Sequence, residues 1–359
     1  MSTDASALAS PVCPAPVESD RVTLLHGAGT GASEKLFERL ILPRLRSAAL
    51  EERHDGAVLA LPGGDRLAFT TDTFVVSPLF FPGGDIGSLA VHGTVNDLAM
   101  CGAHPLALSC ALVLEEGLPL AILERVLDSM SAAARAAGVS IVTGDTKVVE
   151  RGKGDGLFLN TAGVGLVPSG RDLRPARLRA GDRIVVSGSL SRHGVAVLSQ
   201  REGLAFESEI ESDSAPLASL VEAACAAAPD LHCLRDPTRG GLGAVLHEMA
   251  AAARLEIELD EARLPFDPPV QAACELLGLD PLFLASEGRC VAFVPPAQEA
   301  ALLAAMRSQP EGKGAVTVGE VVTARDGRAP VPGRVVVRTR IGGRRLLERP
   351  VGEPLPRIC

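Results

Sequence analysis

The chain closes on Pro356-Arg357-Ile358-Cys359, with a thiol at its last position. The thiolate is the form in which cysteine acts as a nucleophile or an acyl acceptor. A cysteine at the end of a tail is free to be carried into a cleft, so Cys359 is a candidate covalently loaded arm. A chance cysteine on a frayed end is the alternative. Five aspartates stand at strand ends or Gly-rich turns: Asp65, Asp72, Asp97, Asp145 and Asp236. Magnesium prefers oxygen ligands and is held by a few carboxylates together with substrate phosphates. Phosphoryl transfer needs mostly positioning and charge neutralisation. Taken singly, each aspartate is equally a turn residue.

Two glycine-rich stretches could cradle phosphate at a helix start. One is His26-Gly27-Ala28-Gly29, and it holds the one histidine carried forward as a candidate; the other is Arg239-Gly240-Gly241. Neither is followed by Gly-Lys-Ser/Thr, so neither is a Walker loop. Lys147 follows Asp145 and Thr146 at a strand end, and Glu287 precedes an apolar run. A lysine and a glutamate could polarise a carbonyl and move a proton; a weak surface ion pair is the plainer alternative.

Composition narrows the class. The 359 residues suggest two domains, and 47% hydrophobic content is enough to fill their cores. Net charge is -9, with neither Trp nor Tyr, which argues against a nucleic-acid surface. No apolar run reaches the roughly 18 residues of a membrane span. Residues 1–21 are expected to be a disordered leader, without the pattern of a signal peptide, and the protein cytoplasmic. The cysteines form no C-x-x-C pair, so a structural zinc site is not expected.

Periodicity then places the candidates. Strands are expected over 65–76, 106–114, 139–142 and 157–167, with helices over 86–100 and 120–137. The first strand carries Asp72, and the first helix carries Asn96 and Asp97. A turn over 143–147 holds Asp145, Thr146 and Lys147. A boundary falls near 168–175. A second unit, 169–341, follows with strands over 183–186, 255–259, 289–294, 316–322 and 331–338 and helices ending near Leu198, over 239–254 and over 296–307. Residues 342–359 have no periodicity and are expected to be a mobile tail, long enough to extend about 60 Å.

Several motifs occur in order: His26-Gly27-Ala28-Gly29, Thr71-Asp72-Thr73-Phe74, Val95-Asn96-Asp97-Leu98, Leu114 to Pro119, Gly144-Asp145-Thr146-Lys147, Arg235 to Gly241 and the terminal Pro356-Arg357-Ile358-Cys359. Together they resemble the carbamoyl dehydratase (HypE) family, which matures [NiFe]-hydrogenases, over about residues 22–359. Thr30 and Ser286 depart from the usual pattern, which has Gly and Asn there. The resemblance implies a mixed α/β (α+β) fold of two PurM-like domains, of the aminoimidazole-ribonucleotide synthetase superfamily. The N-terminal domain, 22–168, would form a dimeric β-barrel flanked by helices. ATP and Mg²⁺ are the implied cofactors. Asp65, Asp72, Asp97, Asp145 and Asp236 match metal-binding acids. His26, Gly27, Gly29, Asn96, Thr146, Arg239 and Gly240 match segments near nucleotide. Cys359, Lys147 and Glu287 match residues that handle the carbamoyl group. The implied partners are a second copy, a HypF-type carbamoyltransferase and a HypC–HypD-type scaffold. The implied reaction dehydrates an S-carbamoyl group on Cys359 to a thiocyanate.

Two other readings stay open on sequence. A small-molecule kinase or synthetase of the same superfamily, acting on thiamine phosphate or making selenophosphate, would leave Cys359 without a role. A catalytically idle scaffold would leave the aspartates without one.

Overall fold

The computed structural model describes residues 20–29, 31–204, 210–323, 329–350 and 357–359. Most of the expected leader, Thr30 and residues 351–356 of the expected tail lie outside these. The described chain opens with a short 3-10 turn, Leu24–Gly27, and a helical run over 31–45. That run comprises α1 (Gly31–Leu36), a π-helical stretch and α2 (Leu42–Leu45), and α3 (Ala48–Glu51) follows it.

The N-terminal domain is one five-stranded sheet backed by two helices. Its elements are β1 (Ala57–Ala60), β2 (Arg66–Phe74), a small hairpin of β3 (Phe80–Phe81) and β4 (Gly84–Asp85), α4 (Ile86–Met100), β5 (His104–Glu115), α5 (Leu120–Ala136), β6 (Ser140–Val149) and β7 (Leu157–Val167). The strand order is β1-β2-β7-β5-β6, antiparallel except for β5 and β6, which α5 joins as a parallel crossover. Asp85 caps α4: its Oδ1 accepts from the N–H groups of Gly87 (2.7 Å) and Ser88 (3.0 Å). Nearly every residue of α4 is buried, which a helix tolerates when it lies between a sheet and other helices. Its two polar residues near the C-terminal end, Asn96 and Asp97, are therefore held rigidly inside the protein.

Expectation and structure part at Thr143-Gly144-Asp145. The stretch continues the strand instead of turning. Gly144 is needed for close approach, because a Cβ there would lie 2.0 Å from the Cys110 carbonyl oxygen across the ladder. All of β6 except its last residue is exposed, Val142 and Val148 each at 66%.

The C-terminal domain contains β8 (Arg183–Val186), α6 (Arg192–Glu202), α7 (Ala218–Ala227), β9 (Cys233–Arg235), α8 (Gly241–Ala253), β10 (Ile257–Asp260), α9 (Pro268–Leu277), β11 (Val291–Val294), α10 (Glu299–Arg307), β12 (Val316–Val321), β13 (Val335–Arg338) and β14 (Arg344–Leu346). The sheet runs β14-β13-β10-β12-β8-β11-β9, and only β10 and β13 are parallel. Leu242, Leu246 and Met249 of α8 cover one face. Leu220, Leu302 and Met306, from α7 and α10, cover the other. The two domains and mostly antiparallel sheets match the α+β expectation.

The root of the tail was misplaced by sequence. Residues 344–346 are an edge strand on β13, and Leu347 is buried. No alternation marks β14, because all three of its residues are exposed and two are arginines that pair with Glu256, Glu258 and Glu261.

Candidate active site

Three carboxylates converge where α4 meets the C-terminal domain. Asp55, in the turn before β1, Asp97 of α4 and Asp236, just after β9, each place an oxygen within 4.8 Å of the others. Burial pushes the Asp97 and Asp236 carboxyls well above the usual carboxylate range, and the charges of their aspartate neighbours push them further. Burial also works against the charge on Asp55. There the Arg235 guanidinium, whose Nε lies 2.6 Å from Oδ1, and His54 prevail and hold the carboxyl below that range. Oδ2 of Asp55 is buried and has no hydrogen-bond partner among the described residues. Three half-buried or buried carboxylates, with one oxygen orphaned, are a donor set that fits a hard divalent cation such as Mg²⁺. Asp72 of β2 borders the cluster and is pushed up by its burial.

Asp65, matched as a ligand in the sequence, is absent from this cluster. It lies in the exposed turn between β1 and β2 and lines a separate cleft with Arg66 and Arg171. Asp55 stands in its place. Both are aspartates beside glycine, so local sequence does not separate them. The two should differ in measurement. Mg²⁺ is expected to raise Tm; Asp55→Asn is expected to remove that rise and Asp65→Asn to retain it, read by thermal melting with and without the cation. Equal loss in both would refute the assignment.

The two glycine-rich stretches, far apart in sequence, meet. A Cβ on Gly29, whose φ is +68°, would lie 3.0 Å from the Arg239 carbonyl oxygen, and one on Gly240 would lie 3.1 Å from that of Gly29. Arg239 donates to the Gly27 carbonyl oxygen at 3.4 Å. His26 folds back to its own turn, its Nδ1 accepting from the Thr23 N–H at 3.0 Å. His26, Gly27, Arg239 and Gly240 line a cavity of about 700 Å³ that also holds Ile358 and Cys359.

The end of the tail is therefore docked, with Ile358 and Cys359 both buried. It extends the line of β2: the Val75 N–H donates to the Cys359 carbonyl oxygen (3.0 Å) and the Ser77 N–H to that of Arg357 (3.3 Å). Arg357 pairs with Asp155 and stacks over Phe158. Burial pushes the Cys359 thiol well up; Glu287, Asp72 and Asp236 add to this, while Arg239 opposes it. Cys359 and Arg239 line one cavity with Thr73 and Ala285, which adjoin Asp72 and the Glu287 segment, so arm, acids and guanidinium share one site.

Glu287 is 3% exposed, and its Oε1 has no hydrogen-bond partner among the described residues. Burial, then Asp236, Asp72 and Asp213, push its carboxyl well above the usual range, against Arg239. Its backbone is clamped on both sides: its N–H donates to Asp213 (3.2 Å), and its carbonyl oxygen accepts from the Asn96 amide (3.2 Å). Asn96 also donates to the Ala215 carbonyl oxygen and accepts from the Leu217 N–H. It is thus a strut for the Glu287 segment, with its polar atoms already engaged, instead of a group facing nucleotide. Ser286 is buried and accepts from the Ser191 N–H at 2.7 Å.

Asp145, Thr146 and Lys147 are not brought to this site within one chain. Two strands separate β6 from Asp72-bearing β2, about 14 Å at ~4.8 Å per strand. Lys147 pairs with Asp145, holding that carboxyl below its ordinary range. Besides Asp55, sequence reasoning passed over His193 and Asp213. A histidine followed by glycine at a helix start was the available signal for the first; a lone aspartate between serines offered almost none for the second.

Residues 53–167 match the N-terminal domain family of AIR synthase related proteins, and residues 179–331 match the C-terminal one. Fold and site thus define a two-domain protein of the AIR synthase related class. The chain is 52% identical over 346 residues to the carbamoyl dehydratase HypE of Cupriavidus necator, covering 96% of this chain and 97% of that one. A solved HypE in complex with ATP is 46% identical, with a TM-score of 0.79, over 94% of this chain and 100% of the other. The structure of a HypE–HypF complex matches with a TM-score of 0.82 at 41% identity, over 88% of this chain and 99% of that one. The chain belongs to the carbamoyl dehydratase HypE family.

Proposed function

We propose that this protein dehydrates an S-carbamoyl group on its own Cys359 to a protein thiocyanate, at the expense of ATP, and so supplies cyanide for the iron of [NiFe]-hydrogenase. The observation that carries the proposal is the docked tail, which buries Cys359 beside Arg239, Glu287 and the aspartates.

In net terms, R–S–C(=O)–NH₂ and ATP become R–S–C≡N, ADP and phosphate. ATP with Mg²⁺ supplies the phosphoryl chemistry that makes the carbamoyl oxygen a leaving group. Asp55, Asp97 and Asp236, with Asp72 beside them, would hold the cation. The Gly27–Gly29 loop and Arg239-Gly240, packed on one another, would face phosphate. Glu287 takes one nitrogen proton, the departing phosphate carries away the other, and the Arg239 guanidinium stabilises negative charge near the sulfur. In the docked state the thiol resists ionisation, so its acylation requires the tail to leave. That exposed state suits a HypF-type carbamoyltransferase as donor. The loaded tail returns to react, then delivers cyanide to a HypC–HypD-type scaffold.

Lys147, Asp145 and Thr146 take part through a second copy of the chain. Support comes from the β6 edge, with apolar Val142 and Val148 exposed on a strand that has no neighbour beyond it among the described residues. A monomeric mass by light scattering at micromolar concentration would count against this arrangement.

Intact mass spectrometry tests the whole reading. Incubation with the carbamoyltransferase, carbamoyl phosphate and Mg-ATP should add one carbamoyl group and then remove one water. Cys359→Ala should show neither change. No tail adduct with an active transferase would direct attention to the small-molecule kinase alternative.

A further inference from the structure

His193 has no place in the chemistry above, yet it is fully buried against the docked tail. It is the second residue of α6, and its ring meets Phe81 edge-on with centroids 5.3 Å apart. Nε2 lies 2.8 Å from the Ile358 carbonyl oxygen and Nδ1 lies 2.8 Å from the Ser212 hydroxyl. A carbonyl only accepts, so the proton sits on Nε2, and Nδ1 accepts from Ser212. The Ser212 hydroxyl also accepts from the Ser214 N–H at 3.1 Å, which fixes its orientation. The ring is thus held in one tautomer with its single donor aimed at the tail.

The start of α6 is also tied to the Glu287 segment. The Gly194 N–H donates to the Ala285 carbonyl oxygen (3.0 Å), the Ser191 N–H to Ser286 Oγ (2.7 Å), and Ser191 Oγ to the Pro281 carbonyl oxygen. Within four residues, 191–194, the chain therefore grips both the last peptide before Cys359 and the segment that carries Glu287. Ile358 is packed in an apolar cluster drawn from both domains and supplies apolar anchoring. The β2-like bonds from Val75 and Ser77 belong to the other domain. Arg201, at the far end of α6, donates to the Arg357 carbonyl oxygen (2.7 Å), one residue short of the peptide that His193 holds.

We infer that His193, oriented by Ser212, is the positioning residue that sets the docked Cys359 arm in register with Glu287, by donating from Nε2 to the Ile358 carbonyl oxygen. The inference rests on the proposed dehydratase reading for its kinetic consequence, but not for its structural one. His193 acts through the tail backbone and does not touch the reacting atoms. Losing its hydrogen bond leaves a buried carbonyl unpaired and favours the undocked arm.

Two readouts on the full-length protein separate this inference from the function. The first is the rate of Cys359 alkylation by iodoacetamide in the resting protein, followed by mass spectrometry of the C-terminal peptide. It requires no dehydration. His193→Phe, which keeps a ring of similar size but no donor, is expected to speed alkylation about ten-fold, as the loss of one buried hydrogen bond gives. His193→Gln, which can still donate near the Nε2 position, should stay near the wild-type rate. The second readout is single-turnover dehydration of the carbamoylated protein with Mg-ATP. It should slow about ten-fold in His193→Phe and recover in His193→Gln, while loading by the transferase is undiminished. Wild-type rates in His193→Phe, or a Gln variant as impaired as the Phe variant, would overturn the inference. Should the Phe variant fail to fold, Ser212→Ala carries the test: faster alkylation supports the inference, and an unchanged rate refutes it. Absence of dehydration in the wild-type protein would refute the function and leave the alkylation test standing.

Discussion

Glu287→Gln is expected to slow dehydration of the loaded arm by about 10²–10⁴-fold, the range for removing a positioned general base. Carbamoyl loading of Cys359 should be left intact, because loading takes place with the tail out of the cleft. The product of the variant is therefore a chain that carries the mass of the carbamoyl group and fails to lose water. Glutamine fits the same space, and the backbone clamps from Asp213 and Asn96 do not involve the side chain. What is lost is the proton acceptor. In the cation-free protein the Glu287 carboxyl is pushed well up by burial and by Asp236, Asp72 and Asp213. A cation held at Asp236 and Asp72 would lower it toward a range useful for a base at neutral pH, so cation binding and the proposed proton removal at Glu287 are linked electrostatically. A Glu287→Gln protein that dehydrates at the wild-type rate would remove Glu287 from the mechanism.

Asp97→Asn is expected to have opposite effects on activity and on stability. ATP-dependent turnover should fall below detection, because one of the three convergent carboxylates is gone. The cation-free protein should melt higher by a few degrees, since about 1 kcal/mol moves Tm by ~2–4 °C in a domain of this size. Asparagine can still accept the hydrogen bond from Thr70 Oγ1, 2.7 Å from Asp97 Oδ2 in the wild type, while the like-charge repulsion disappears. The pH dependence follows from the raised carboxyls. Asp97, Asp236 and Glu287 hold protons more tightly when folded than when unfolded. Their contribution to stability is complete below the unfolded carboxylate value, about 4, and is lost as pH rises through their higher folded values. Buried His92, His193 and His247 are pushed below the usual imidazole value and act in the opposite sense over the same range, so the share of the acids is read as the Tm difference between Asp97→Asn and wild type. Without divalent cation that difference should grow from pH 4 toward neutrality, and Mg²⁺ should shrink it. Melting curves of both proteins from pH 4 to 8, with and without Mg²⁺, measure this; a cation-free difference that narrows as pH rises would contradict the electrostatic account.

The sequence by itself determined a good deal of this protein. The apolar run over 86–100 specifies α4 to the residue, because nearly every position of the helix is buried and so must be apolar. The alternation over 157–167 does the same for β7. The order of short motifs, with the terminal Pro356-Arg357-Ile358-Cys359, was enough to point to the family and to most of the residues that surround the docked thiol. Tertiary structure decided the rest, wherever the determining contact is distant in the chain. Asp55 and Asp65 carry the same local signal, and only the packing of β2 against α4, with β1 paired to β2, selects Asp55. Gly29 and Arg239 are separate weak signals until their backbones touch. Gly144 is a turn residue by type, yet it sits mid-strand because the Cys110 carbonyl leaves no room for a Cβ. β14 lacks any periodicity, since an edge strand exposed along its whole length has no buried face to record. His193 owes its place to a partner 165 residues away, Ile358, and no local pattern encodes that meeting.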